Sequence, residues 1–132
     1  MFSRNRHKPQ NRIDTLIGAE TTVAGDIDFS GGLRVDGSIR GNVTEVAGKS
    51  GTLVLSEHGK IEGAISVSHA VINGVVVGPL SARSYVELQA KSRVTGDVCY
   101  KSLEMHMGAV VEGKLIYLND GKWEIPDSSS QD

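Results

Sequence analysis

The sequence predicts an all-β fold, a parallel β-helix of about six coils with a disordered tail on either side. The first observation behind this is a recurring phrase of five residues, apolar–x–Gly–x–apolar, whose glycines fall at 25, 41, 63, 78, 96 and 113. A unit this short cannot bury a core alone and must stack on copies of itself. The second is alternation: Leu33, Val35, Ile39 and Val43 are separated by polar residues, the period of a strand with one face buried. The third is composition. Sixteen glycines in 132 residues leave almost no window long enough for a stable helix, since each glycine costs about 1 kcal/mol against alanine in a helix interior. The apolar positions are mostly Val, Ile and Leu, which suit a pleated surface, and glycine suits the tight corners between strands.

Taken in order, the units are Val23-Ala24-Gly25-Asp26-Ile27, Ile39-Arg40-Gly41-Asn42-Val43, Ile61-Glu62-Gly63-Ala64-Ile65, Val76-Val77-Gly78-Pro79-Leu80, Val94-Thr95-Gly96-Asp97-Val98 and Val111-Glu112-Gly113-Lys114-Leu115. Residues 1–12 are polar and basic and read as a disordered tail. Residues 13–118 form the β-helix, and residues 119–132 a polar tail in which Trp123 is expected to lie back over the last coil. The second gap, 22 residues against 15 to 18 elsewhere, places a corner insertion at Glu45 to Gly51. In the fourth unit Asn73-Gly74 competes with Gly78 for the repeat position.

The repeats, the Val-Glu-Gly-Lys-Leu near the end and the opening Met-Phe-Ser-Arg together resemble the bactofilins, bacterial cytoskeletal proteins. The resemblance covers about Thr15 to Tyr117 and the first few residues. It implies a right-handed β-helix that self-assembles into filaments without nucleotide. It also implies that the start of the chain holds the filament on the inner membrane surface. Met1 and Phe2 with Arg4, Arg6 and Lys8 are the membrane-binding residues on this reading. Localisation is then cytoplasmic, peripheral on the inner membrane. The expected partners are further copies of the chain, anionic lipids, and cell-wall enzymes or other scaffold proteins.

Charge supports the division of labour. The net charge is −2, so nothing draws the whole chain to nucleic acid. Residues 1–12 nevertheless carry +4, from Arg4, Arg6, Lys8 and Arg12. Each such charge is worth about 1 kcal/mol near an anionic leaflet. Cys99 is the only cysteine and reads as a structural thiol. No apolar run is long enough for a membrane span, and no apolar segment of a signal peptide follows the basic start.

Sites for chemistry are scarce. Gly48-Lys49-Ser50 lacks the upstream glycine and the following helix of a phosphate loop, so no nucleotide site is expected. The histidines His7, His58, His69 and His106 show no metal-ligand spacing. Met105-His106-Met107 reads as core methionines with a surface histidine. Asp26, Asn42 and Asp97 follow repeat glycines and read as caps for corner N–H groups. No catalytic residue, metal or cofactor is expected. The alternative, a β-helix enzyme of the hexapeptide acyltransferase or glycan-active kind, fits poorly because only one of the five gaps is a multiple of six.

The function then rests on the ends. A β-helix has two open ends of unpaired backbone groups, and uncovered edges pair with other chains. The expected polymerisation surfaces are Ile17, Val23, Ile27 and Phe29 at one end and Val110, Val111, Leu115 and Ile116 at the other. A scaffold for cell shape or localised envelope growth is the expected role.

Overall fold

The structure is a computed structural model that describes residues 12–119. Among them there is no helix. Sixteen strands wind into a parallel solenoid with three walls. Wall I contains β1 (Thr15–Ile17), β4 (Gly31–Val35), β7 (Gly51–Leu55), the later halves of β9 (Ile65–Ile72) and β11 (Leu80–Leu88), and β14 (Leu103–Met105). Wall II contains β2 (Thr22–Ala24), β5 (Ser38–Arg40), β8 (Lys60–Glu62), β10 (Val75–Val77), β12 (Arg93–Thr95) and β15 (Val110–Glu112). Wall III contains β3 (Ile27–Phe29), β6 (Val43–Glu45), the early halves of β9 and β11, β13 (Val98–Tyr100) and β16 (Leu115–Tyr117). The expected count of about six coils is met.

Every coil places equivalent residues in the same column, so like stacks on like. The single inward residue of wall II runs Val23, Ile39, Ile61, Val76, Val94, Val111. One inward column of wall III runs Ile27, Val43, Ile65, Leu80, Val98, Leu115. In the middle coils these side chains are 0–1% exposed. Each contributes about 1.5–3 kcal/mol by burial, which holds the coils of the rod together.

The corner between walls II and III explains the sequence repeat. Gly25, Gly41, Gly63, Gly78, Gly96 and Gly113 stack there. A Cβ on Gly63 would lie 2.1 Å from the carbonyl oxygen of Gly41, one coil back, and a Cβ on Gly113 would lie 2.1 Å from that of Gly96. The constraint is steric, because no side chain fits between successive turns of backbone. Gly78 occupies this column and Gly74 a different one, where a Cβ would meet the Gly59 carbonyl at 2.4 Å. That resolves the competition in the fourth unit.

The residues after the glycines cross-link coils. Asp26 Oδ1 accepts from the Asn42 amide at 2.8 Å, Asn42 Oδ1 from the Ala64 amide at 2.9 Å, and Asp97 Oδ1 from the Lys114 amide at 2.9 Å. Ala64 offers no side-chain acceptor, and the residue above it is Pro79, which has no N–H to satisfy.

The corner insertion appears as Val46 to Ser50, closed by a Lys49 N–H to Val46 carbonyl bond of 3.0 Å. It leads into strand β7 and not into a helix, so Gly48-Lys49-Ser50 is an exposed turn. Its anchor, Glu45, was not foreseen. Glu45 sits in the inward column between Phe29 and Val67 and is 4% exposed. Its carboxylate accepts from the Gly51 amide at 2.7 Å, the Ser68 amide at 2.8 Å and the Ser68 hydroxyl at 3.1 Å. The Arg83 guanidinium pairs with it from the surface. A carboxylate so placed survives burial because its acceptor sites are filled.

Candidate functional site

The two terminal rungs are where the described solenoid stops. Among the described residues, strands β1, β2 and β3 each pair only toward the body of the rod, and so do β14, β15 and β16. Within that range one edge of each is left without a strand partner.

The inward columns run out to these edges. At the first rung they end in Ile17 and Phe29, each 8% exposed, and in the half-buried Val23 and Ile27. Thr15 completes that rung in register with Leu33. At the last rung they end in Leu103, Met105, Val111, Leu115 and Tyr117. Met105 is 43% exposed, Leu115 46% and Tyr117 57%. The Tyr117 ring meets Tyr100 edge to face, with centroids 6.1 Å apart.

Of the eight residues expected at the ends, Ile17, Val23, Ile27, Phe29, Val111 and Leu115 lie in inward columns of terminal rungs. Val110 and Ile116 lie in outward columns, in register with Arg93 and Cys99. Sequence reasoning missed Leu103, Met105 and Tyr117. A strict count of alternation from Leu115 would have reached Tyr117.

The methionine expectation needs correction. Strand β14 ends at Met105, so alternation stops there. Met107 lies in the following turn, 95% exposed, and is not core. Met105 points inward, but at an open end. The side chain of His106 is 38% exposed and Nε2 lies between two carboxylates, those of Glu87 and Glu104.

Cys99 is buried, and burial first, then the Asp97 charge, pushes its thiol up to about 11. It is a thiol at neutral pH, without nucleophilic character. His69 is half-buried and its pKa is lowered by burial. The expected membrane-binding residues Met1, Phe2, Arg4, Arg6 and Lys8 lie outside the described residues, as does Trp123.

A rod of stacked coils whose apolar columns run out to its terminal rungs is the form of a subunit that adds to itself. Comparison with known proteins decides the matter: the family described as "Bactofilin: Polymer-forming cytoskeletal" matches residues 15–116. The chain belongs to the bactofilin family. It is 28% identical to bactofilin BacP of Myxococcus xanthus over 102 residues, which is 77% of this chain and 41% of that relative. It is 27% identical to bactofilin BacO of the same organism over 115 residues, 83% of this chain and 88% of that one. Among solved structures, it resembles the double helical filaments of Thermus thermophilus bactofilin at 30% identity and a TM-score of 0.65. That match covers 75% of this chain and 96% of the other. It resembles the cytoskeletal bactofilin BacA at 30% identity and a TM-score of 0.68, covering 79% and 96%. The protein is thus a polymer-forming cytoskeletal protein and not an enzyme.

Proposed function

We propose that this bactofilin polymerises end to end, without nucleotide, into filaments held on the inner membrane surface by the basic start of the chain, as a scaffold for cell shape or localised envelope growth. The observation that carries the reading is the pair of terminal rungs, unpaired on one edge among the described residues, whose inward columns end in apolar side chains at every position but Thr15. Stacking one rung on another continues both the backbone ladder and the bore. Each apolar side chain it covers contributes up to about 1.5–3 kcal/mol. Most of the covered area comes from Met105, Leu115 and Tyr117, since Ile17 and Phe29 are each already only 8% exposed. No step in this calls for nucleotide binding or hydrolysis.

The membrane part rests on residues 1–12, which carry +4 while the chain as a whole carries −2. One tail, with about 1 kcal/mol per basic residue and one inserted Phe2, is a weak anchor. A filament displays many tails, and their binding adds by avidity. The test is sedimentation in EDTA with no ATP or GTP, followed by co-sedimentation with anionic liposomes. Filaments should pellet without nucleotide. Deleting residues 2–8 should leave the filaments intact and abolish the liposome pellet. A strictly monomeric profile at micromolar concentration would overturn the assembly reading, and undiminished liposome binding by the deletion would overturn the tail reading.

A further inference from the structure

The outer surface of wall I carries a cluster that neither the fold nor the polymer requires. Glu87 on β11 and Glu104 on β14 are register partners in adjacent coils, so their side chains stand one above the other. His106, just past the end of β14, brings Nε2 to 3.0 Å from Glu87 Oε2 and 3.1 Å from Glu104 Oε2. The three ligand atoms all lie within 4.8 Å of one another.

Two carboxylates thus converge on one imidazole nitrogen. A neutral imidazole can donate from Nε2 to only one of them at full strength, and the two anions repel. Among the described residues no Lys or Arg nitrogen comes within salt-bridge distance of either carboxylate. The Tyr85 hydroxyl lies between the far oxygens of both, 2.8 Å from Glu104 Oε1 and 3.3 Å from Glu87 Oε1. Gln89 Nε2 donates to Glu87 Oε2 at 3.1 Å, the oxygen that faces His106. Neutral donors that orient anionic ligands, with no cation among them, are the usual surroundings of a metal ion.

We propose that Glu87, Glu104 and His106 bind a divalent transition-metal ion of the Zn²⁺ class, which staples the last rung of wall I to the coil beneath it. The donor set of one imidazole and two carboxylates suits Zn²⁺. Ligand atoms about 2.1 Å from a tetrahedral ion lie roughly 3.4 Å apart. The observed 3.0 and 3.1 Å separations reach that with a small outward movement of each side chain. The remaining position faces solvent, since the Glu104 side chain is 57% exposed. Among the described residues strand β14 is an edge strand, paired only with β11. An ion bridging Glu87 to Glu104 and His106 ties that edge down.

The experiment uses full-length protein stripped with EDTA and titrated with CoCl₂, read by visible absorption, with ZnCl₂ as competitor in equilibrium dialysis. Amide hydrogen exchange of Leu103 to Met105 is read with and without ZnCl₂. The expected result is saturable binding and slower exchange in β14. Affinity should fall at least about tenfold in His106→Ala and in Glu104→Gln, and be unchanged in His58→Ala. Both affected positions are partly exposed, and circular dichroism confirms that the variants retain the fold. Absence of saturable binding overturns the site, and so does binding that both variants leave unweakened. Binding that leaves β14 exchange unaltered overturns the staple.

Discussion

The first and last rungs of the rod are built from the same columns and differ in finish. At the first, Ile17 and Phe29 are nearly covered, and Val23 and Ile27 are half-covered. At the last, Met105, Leu115 and Tyr117 stand about half exposed, with Met107 beyond them. Among the described residues, four of the eight large exposed hydrophobic residues thus lie in the final coil. A surface that concentrates apolar area in this way is expected to be used for contact. The middle coils hold the corresponding columns at 0–1% exposure. At the last rung the columns lack the neighbouring coil that covers them in the middle, and on the proposed reading a second chain supplies it.

The largest expected effect breaks the middle. Gly63→Ala puts a Cβ 2.1 Å from the Gly41 carbonyl oxygen, which is backbone and cannot give way. The stack must part, and we expect loss of several kcal/mol, read as loss of the cooperative thermal transition and of filaments together. Gly48→Ala has open space around its Cβ but a φ of 81°. It should cost only about 1 kcal/mol and leave filaments in place.

Next comes Glu45→Ala, which strands the buried amides of Gly51 and Ser68 and unpairs Arg83. The expected loss is about 3–5 kcal/mol in chemical denaturation. Arg83→Ala should cost about 1 kcal/mol or less, because the side chain of Arg83 is half exposed and screened. An equal loss from the two would show that the ion pair, and not the filled acceptors, holds the insertion.

The smallest effect concerns the first rung. Asp14 accepts from the Gly32 amide at 2.8 Å. That bond lowers its pKa, with Arg12 adding to it and burial opposing. For a carboxyl whose folded pKa is depressed, the contribution is complete above its ordinary value near 4 and is lost as pH falls through the lowered one. Exchange of the Gly32 amide should therefore accelerate below about pH 4, while exchange in β16 at the opposite end should show no matching step.

Much of the fold could be read from the sequence because a solenoid repeats its constraints. Each corner glycine from Gly41 onward marks a place where two turns of backbone touch, and five such places fix the stacking. The insertion could be located because it lengthens one gap. Glu45 could not be read, since an inward carboxylate is indistinguishable from a corner residue until Gly51 and Ser68 are seen to point at it. The ends were half legible. Val111 and Leu115 followed from the repeat, but Val110 and Ile116 were assigned by their hydrophobicity, and alternation turns both outward. The Glu87, Glu104 and His106 cluster spans two coils and depends on their register, which spacing alone does not give.

The central claim is that the rod's ends, and not its walls, carry the filament. Electron microscopy of Val111→Arg beside Val77→Arg, both without nucleotide, tests it most directly. Val111 ends an inward column at the last rung, whereas Val77 is 43% exposed on wall II in the middle of the rod. An unpaired charge buried at an end contact costs several kcal/mol. Val111→Arg should therefore yield species no larger than dimers with an unchanged β-type circular dichroism spectrum: monomers if unlike ends meet, dimers if like ends meet. Val77→Arg should still form filaments. Filaments of normal length from Val111→Arg would contradict the account.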